Sequence, residues 1–243
     1  MHRAIILSLF VFAALCRAAD YQVEGNIRYS HFPENVLDIL QSRAPALQNR
    51  PGVVLIHGDG LVQGQKESMV EQFAVPFIQH GFVVANVEYR LAEAASAEGV
   101  RDVLTAVDWF HDHAGQYKVD TRRIIVLGAS AGGRLGLQAA SFGPAASVAA
   151  VIDFFGVVES PDPLLSPLAH VRKGLPPVLA IHGDADPTVP YDQSVRLIQA
   201  LKSAGDDAEL ITVPGGKHGF TPAEMDKLWP QIFKWLKKRR ISS

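Results

Sequence analysis

Continuous apolar runs alternate with amphipathic stretches along most of this 243-residue chain. A run such as Val53–Ile56 has no polar positions, which is typical of a strand buried on both faces of a parallel sheet. Between Gly99 and Gln116, by contrast, apolar residues recur every three to four positions and predict an amphipathic helix. Strands and helices that alternate in this way predict an α/β fold, with a mainly parallel central sheet and helices on both faces.

The same criteria predict the remaining elements. Two short alternating strands are predicted over Asn26–Tyr29 and Asn35–Ile39, followed by a loop over Ser42–Gly52. The later elements are strands over Phe82–Val87, Ile124–Leu127, Val148–Phe154, Val178–Ile181 and Glu209–Val213, and helices over Ala131–Ala140, Asp192–Ala204 and Ala223–Lys238. No internal repeat or linker interrupts them, so residues 19–243 are predicted to form a single domain.

The beginning of the chain does not follow this pattern. A basic start precedes an apolar run from Ala4 to Leu15, and small residues follow it, as in a secretory signal peptide. We expect cleavage after Ala18, which makes residues 1–18 the signal and the mature chain secreted or periplasmic. An uncleaved anchor is the alternative, but the run is shorter than the about 20 residues that span a membrane.

Composition restricts the partners. The formal net charge of −2 offers no basic surface for nucleic acid and no polybasic anchor for an acidic membrane. We therefore expect a small, neutral or weakly charged partner, and no stable membrane association once the signal is removed. The one cysteine is Cys16, inside the predicted signal, and the bulky Leu15 before it argues against lipoprotein processing. A mature chain without cysteine has no disulfide, no cysteine nucleophile and no cysteine metal site.

A Gly-x-Ser-x-Gly pentapeptide, Gly128–Gly132, separates the predicted strand Ile124–Leu127 from a helix rich in small residues. Glycines at these two positions allow a turn so sharp that the serine is strained and exposed. The N-terminus of the following helix points at the same place and favours developing negative charge. The context predicts Ser130 as a nucleophile, the alternative being a glycine-rich turn without chemistry.

A serine hydroxyl needs a base to become a good nucleophile. Of nine histidines, His218 lies in a glycine-flanked loop after the last predicted strand and comes last in the order Ser, Asp, His that this architecture uses. The carboxylate that orients the base should follow a strand between them, and the loop after Val178–Ile181 offers Asp184 and Asp186. The position of this loop alone leaves both aspartates as candidates for the orienting carboxylate.

The other histidines in helices or at strand ends have simpler interpretations. His111 and His113 fall on a predicted helix, where a solvated surface is expected. His182 ends a predicted strand and is interpreted as a packing or hydrogen-bonding residue.

The loop His57-Gly58-Asp59-Gly60 ends an earlier strand. Hydrolases that use a Gly-x-Ser-x-Gly turn often have a His-Gly-Gly-Gly loop at such a place, and its backbone N–H groups help to form the oxyanion hole. We expect Asp59 and Gly60 to be the loop donors, with Gly58 as an alternative, and Ala131 after the nucleophile to be another donor. His57 is interpreted as a structural residue that braces the loop.

With these residues in place, the chain resembles the α/β-hydrolase superfamily, and more narrowly the secreted carboxylesterases related to acetylxylan and feruloyl esterases. The resemblance covers nearly the whole mature chain and includes Asn35–Ile39, Glu88–Leu91, Val119–Ile124, Ser166–Leu168, the Asp186 loop and His218–Phe220. In this family the aspartate of an Asp-Pro-x-Val-Pro run is the triad member, which implies Asp186 rather than Asp184. The resemblance also implies ester hydrolysis through an acyl-enzyme, without a metal or an organic cofactor.

Two departures from the family pattern bear on function. Asp59 replaces the middle glycine of the oxyanion loop, and Leu61 follows where relatives carry a tryptophan. The Asp59 carboxylate would oppose the charge it should stabilise, unless it points away. The segment Phe155–Pro177 is also too short for the lid that relatives often insert. An open cleft suits a short ester on a bulky molecule better than a long acyl chain.

The leading hypothesis is therefore hydrolysis of a carboxylic ester, with a short acyl group, such as acetate on a polysaccharide, implied by the resemblance. A peptidase of the prolyl-oligopeptidase type is one alternative, against which the missing propeller domain counts. A secreted binding protein that keeps the fold but not the reaction is another, and Asp59 is the feature in its favour.

Overall fold

The structure is a computed structural model that describes residues 20–44, 48–58, 64–91, 97–144 and 147–242. Its strands are β1 (Tyr21–Arg28), β2 (Val36–Ser42), β3 (Arg50–Ile56), β4 (Val83–Val87), β5 (Val119–Ala129), β6 (Val151–Phe154), β7 (Val178–Gly183) and β8 (Ala208–Val213). They form one sheet in the order β1-β2-β4-β3-β5-β6-β7-β8. Strands β3 to β8 are parallel, and β2 runs antiparallel to both β1 and β4. The predicted α/β fold with a mainly parallel sheet is confirmed.

Within the residues that the structure describes, five α-helices cover the two faces of this sheet. They are α1 (Val75–Gln79), α2 (Ala97–Asp112), α3 (Ala131–Phe142), α4 (Asp192–Ala204) and α5 (Pro222–Lys238). A 3₁₀ turn over Lys66–Met69 and a π-helical turn over Val70–Ala74 lead into α1. Buried residues of α2, α3 and α4 belong to one apolar core, and those of α1 and α5 belong to the other.

Strand β3 shows why the central strands read as unbroken apolar runs. Val54 and Ile56 belong to the core beneath α2, α3 and α4, whereas Val53 and Leu55 belong to the opposite core. All four side chains are fully buried. Because successive side chains of a strand point to opposite faces, a strand covered on both sides must be apolar at every position.

Element boundaries differ from the predictions where polar residues extend a strand. β2 continues to Ser42 and β3 begins at Arg50, so the predicted loop over Ser42–Gly52 was too long. β5 begins at Val119 rather than Ile124, because Arg50 of β3 pairs with Val119. β6 covers only Val151–Phe154, a shorter strand than predicted.

The helical segment before β4 was not predicted. Its buried residues Met69, Phe73 and Phe77 recur every four positions, which is the spacing that could have revealed it. The surface interpretation of His111 and His113 was also wrong. Both are half-buried: His111 Nε2 donates to the Ser147 carbonyl at 2.6 Å, and the His113 ring stacks on Trp109.

The segment between β6 and β7, all of which the structure describes, holds two 3₁₀ turns, Pro163–Leu165 and Pro167–His170, and no inserted lid domain. The side chain of Gln193 on α4 holds its first part, since Oε1 accepts from the Val158 N–H at 3.0 Å. This agrees with the predicted fold with little or no lid.

The predicted signal peptide, residues 1–18, lies outside the described residues, so export stays a prediction. No helix in the described ranges is both long enough and apolar enough to span a membrane.

Candidate active site

Parallel strands bring the three predicted catalytic residues to one edge of the sheet. Ser130 follows β5, Asp186 lies in the loop after β7, and His218 lies in the loop after β8. These are carboxyl ends of parallel strands, where ligands bind in open α/β sheets. His218 Nε2 lies 2.9 Å from Ser130 Oγ, and His218 Nδ1 lies 2.8 Å from Asp186 Oδ2. The structure thus joins all three residues by hydrogen bonds.

The turn at Ser130 is strained, and its two glycines are sterically required. Ser130 has φ of 53° and ψ of −118°, a conformation that non-glycine residues rarely adopt. A Cβ atom on Gly128 would collide with the backbone of Gly132, and one on Gly132 would collide with the carbonyl groups of Ile56 and His57. The turn therefore presses against both α3 and β3, which holds the serine in its strained conformation.

The N-terminus of α3 lies directly beside the serine. Ala131, predicted as an oxyanion donor, is the first residue of this helix, where backbone N–H groups have no intrahelical acceptor. Gly58 also approaches the turn, because a Cβ atom there would lie 2.8 Å from the Ala129 carbonyl oxygen. Asp59 and Gly60 lie outside the described residues, so their role as donors stays a prediction.

The Asp186 carboxylate is completely buried and receives four contacts. Its Oδ1 accepts from the N–H groups of Thr188 at 2.7 Å and Val189 at 3.0 Å. Its Oδ2 contacts His218 at 2.8 Å and His182 Nε2 at 3.2 Å. Burial alone would raise the pKa of Asp186, but the hydrogen bonds from His218, Thr188 and Val189 outweigh it and hold the pKa below its usual value. Asp186 is therefore a carboxylate at neutral pH.

His182 is a second imidazole on the same carboxylate. It is fully buried, with Nδ1 2.7 Å from Ser194 Oγ and Nε2 3.0 Å from the Val189 carbonyl oxygen. Because Nε2 faces two acceptors, Val189 and Asp186, we assign the proton to Nε2. Burial lowers the pKa of His182, which favours the neutral ring. The interpretation as a hydrogen-bonding residue agrees with these contacts, but no feature of the sequence indicated Asp186 as a partner of His182.

Asp184, the other aspartate of this loop, binds a backbone N–H group instead of His218. It is exposed, and its Oδ1 accepts from the N–H of Gly215 at 2.6 Å. This bond ties the loop after β7 to the loop that carries His218.

His57 lies at the end of β3, and its contacts agree with a structural role; that it braces the loop after it stays a prediction, because residues 59–63 lie outside the described residues. His57 is fully buried, stacks on Tyr89 with ring centroids 4.4 Å apart, and places Nε2 2.8 Å from Glu88 Oε1. The other oxygen of Glu88 accepts from the backbone N–H of Lys66 at 3.0 Å. Buried Lys66 in turn pairs with Asp38, with Nζ 3.1 Å from Oδ2.

Phe155 forms a wall of the site that the sequence analysis missed. Its ring lies 4.8 Å from the His218 ring and 5.4 Å from the Phe220 ring, measured between centroids. It follows β6 with φ of 42°, so the backbone is strained beside the histidine. Within the described ranges, no group of three or more His, Cys, Asp or Glu side chains is arranged to hold a metal ion.

A buried acid lies just behind the nucleophile. Asp153 on β6 is paired in register with Gly128 and is completely buried. Its carboxylate packs against Gly133 and Gly156, where an added Cβ atom would overlap it. In the described part of the chain, neither of its oxygens has a hydrogen-bond partner. Burial raises the pKa of Asp153 to about 7.

Two family models match the chain. One, described as BD-FAE, matches residues 37–164, which is more than half of the 243 residues. The other, the prolyl oligopeptidase family, matches residues 160–240.

Similar proteins include two from Mycobacterium tuberculosis. Esterase LipC is 24% identical over 84% of this chain and 61% of its own length. Probable carboxylic ester hydrolase LipM is 25% identical over 83% of this chain and 57% of its own length. The chain therefore spans about three fifths of the length of these relatives.

Solved structures share the fold over nearly the whole chain. A truncated carbohydrate esterase from gut microbiota superposes with a TM-score of 0.78 and 24% identity, covering 89% of this chain and 97% of that one. Apo esterase 2 of Thermogutta terrifontis gives a TM-score of 0.80 and 24% identity, covering 92% of this chain and 96% of that one.

The two aspartates of the loop after β7 can be separated by mutation. Asp186→Asn should slow labelling of Ser130 by a fluorophosphonate roughly 10³- to 10⁴-fold, because the carboxylate that holds His218 in the productive tautomer is lost. Asp184→Asn keeps an oxygen for the Gly215 N–H and should label at nearly the wild-type rate. Labelling rates of the two purified variants test this, and a slower Asp184→Asn would contradict the assignment.

His182→Ala should slow the same labelling about tenfold, because Asp186 loses one charge-assisted hydrogen bond and some of its positioning. His182→Gln keeps an N–H donor and should recover part of the rate. Ser194→Ala, which removes the other side-chain partner of His182, serves as the milder control. An unchanged rate in folded His182→Ala protein would show that the contact does not position Asp186.

Asp153 should make the stability of the protein depend on pH. Its pKa is about 7 in the folded chain and 3.8 in the unfolded one, so the folded state holds the extra proton between these values. The free energy of unfolding should therefore fall as pH rises from about 4 to 7, by a few kcal/mol at most. Urea denaturation of wild type and Asp153→Asn at pH 5 and pH 8 measures this. The variant should gain stability relative to wild type at pH 8, and parallel pH profiles would refute the expectation.

Proposed function

The chain belongs to the BD-FAE family, within the α/β-hydrolases, and we propose that it hydrolyses carboxylic esters by nucleophilic catalysis at Ser130. The observation that supports this most directly is the hydrogen-bonded path from Asp186 through His218 to the Ser130 hydroxyl. Such a path occurs where a serine is to be activated. The esterase names of the relatives support the same reaction class.

In the proposed mechanism, His218 Nε2 takes the hydroxyl proton as Ser130 Oγ attacks the ester carbonyl carbon. Asp186 stabilises the imidazolium that forms. The oxyanion of the tetrahedral intermediate accepts from the Ala131 N–H and, we propose, from the N–H groups of Asp59 and Gly60. The intermediate collapses to an acyl-enzyme, and His218 returns the proton to the leaving alcohol. Water, deprotonated by His218, then releases the acid.

We propose a short acyl group, such as acetate on a polysaccharide or another bulky alcohol. The short segment between β6 and β7 supports this, because it leaves no lid to close over a long chain. The ring of Phe155 beside His218 also narrows the site. One structural neighbour is a carbohydrate esterase, and forms of the Thermogutta esterase were solved with propionate and butyrate bound. From the sequence pattern of residues 1–18 alone, we further propose that the protein is exported.

A peptidase is the second candidate, because the prolyl oligopeptidase family model matches residues 160–240. That match contains Asp186 and His218, residues that both reactions would need, but it begins at residue 160 and so leaves out Ser130. Amide and ester substrates with the same acyl group would separate the two activities.

The central test is hydrolysis of p-nitrophenyl esters, from acetate to long chains, by mature protein and by Ser130→Ala. Wild type should cleave acetate fastest, and the variant should lose at least about 1,000-fold in kcat because the nucleophile is absent. The matching p-nitroanilide should be a poor substrate, and faster cleavage of the anilide would favour a peptidase.

Two other results would speak against the proposal. A preference for long chains would refute the short-acyl specificity. Absence of hydrolysis with every ester would favour a binding protein without the reaction. In that case Asp59→Gly tests whether the Asp59 carboxylate has suppressed the activity.

A further inference from the structure

Arg134 is the buried cation closest in sequence to the candidate nucleophile. It lies on α3, and its backbone N–H donates to the Ser130 carbonyl at 3.2 Å. Residues four apart on a helix share a face, and side chains there lean toward the helix N-terminus. Arg134 therefore shares one face of α3 with Ser130 and with Gln138, the residue that its side chain contacts. Only 6% of Arg134 is exposed.

The guanidinium of Arg134 lacks a partner that matches its charge. Its Nε makes one long hydrogen bond, 3.4 Å, to Gln138 Oε1, and its Nη2 is buried without any partner among the described residues. Arg90 forms a bidentate pair with Asp102, and Arg239 pairs with Asp207, although Nε of Arg239 lacks a partner. Buried Arg50 has no carboxylate partner, but its Nη2 donates to Gln41 Oε1 at 2.7 Å and to the Tyr117 carbonyl at 2.5 Å. Arg134 differs from these because its guanidinium makes only one long hydrogen bond among the described residues, and a buried charge so weakly paired is costly.

The neighbours of Arg134 show where its side chain lies. Gln138, fully buried, is fixed because its Nε2 donates to the Leu164 carbonyl at 3.0 Å. Asp162 and Tyr89 are the groups whose charges act on Arg134. Asp162 is exposed and already accepts from the Leu164 N–H, and the Tyr89 hydroxyl donates to the His57 carbonyl at 2.9 Å. Arg134 thus lies between the turn over Pro163–Leu165 and the base of the oxyanion loop.

We propose that Arg134 binds a carboxylate carried by the substrate, so that the preferred ester is an acidic one. This inference rests on the proposed ester hydrolysis and names the substrate class more narrowly. Arginine is suited to it because its planar guanidinium pairs with carboxylates in a fixed geometry. A monoanion fits better than a doubly charged phosphate, because the exposed Asp162 carboxylate is close by. The acid could stand on the alcohol side, as in an acetylated uronic acid, or on the acyl side.

Two pairs of substrates distinguish these positions. The acyl-side pair is the mono-p-nitrophenyl ester of succinic acid and its methyl-capped, neutral analogue. The alcohol-side pair is O-acetylated galacturonic acid and the methyl ester of the same sugar. Wild type should prefer the charged member of one pair by about 10- to 100-fold in kcat/KM. Added salt should reduce the preference.

Arg134→Met should abolish this ratio, mainly through KM of the charged substrate, and leave the neutral substrate almost unaffected. Arg134→Lys should keep part of it. Arg172→Met is the matched control, because it removes the same charge from an exposed arginine that contacts the other end of α3, at the Ser141 carbonyl. It should keep the full ratio.

A ratio near one for both pairs in wild type, or a ratio that Arg134→Met leaves intact, would overturn the proposal. Hydrolysis of the neutral esters tests the proposed function separately, so the two can fail independently. Should Arg134→Met not fold, the wild-type ratio and its response to salt decide the matter. Should no ester be cleaved, calorimetric titration with monomethyl succinate and with neutral dimethyl succinate decides it, since only the acid should bind.

Discussion

Three backbone segments meet at the Ser130 turn with no room for side chains between them. Gly128 touches the backbone of Gly132, and Gly132 touches the carbonyl groups at the end of β3. This contact fixes α3 against the sheet and holds the serine at φ of 53°. Because β5, β7 and β8 are parallel, the same edge receives the loops of Asp186 and His218. The hydrogen bonds of the site therefore depend on backbone packing that only glycine permits.

Two buried aspartates show that nearby hydrogen-bond donors determine whether a buried carboxyl group is ionised. Asp186 accepts from two backbone N–H groups and contacts the imidazoles of His218 and His182, and its pKa falls despite burial. Asp153 follows the same sheet direction on β6 but lacks a hydrogen-bond partner among the described residues, and its pKa rises to about 7. Both carboxylates are buried, and the pKa of Asp186 is lower because it receives more hydrogen bonds and lies beside the charge of His218. A carboxylate that must stabilise an imidazolium needs the first environment.

The sequence predicted what depends on chain order and local pattern. Continuous apolar runs identified the central strands, and the positions of Ser130 and His218 after them predicted that the two would meet. Position also predicted an aspartate from the loop after β7, but the choice of Asp186 over Asp184 came from the family resemblance. The sequence could not predict what depends on tertiary contacts. The contact of His182 with Asp186 forms inside a loop whose conformation the pattern does not specify. The burial of Arg134 could not be predicted either, because an arginine on a helix is expected to be exposed to solvent.

Arg134 and Asp153 are both buried without a matching partner, but the chemistry of the two groups leads to different conclusions. A carboxyl group can relieve an unfavourable burial by taking up a proton, and the raised pKa of Asp153 is that response. A guanidinium cannot become neutral in this way, because it keeps its proton in proteins even where burial lowers its pKa. A buried acid without a partner can therefore be neutralised by protonation alone, whereas the charge of a buried arginine without a partner is neutralised only by an anion. Because Arg134 follows Ser130 by one helical turn, an acidic substrate is the simplest way to supply the proposed anion.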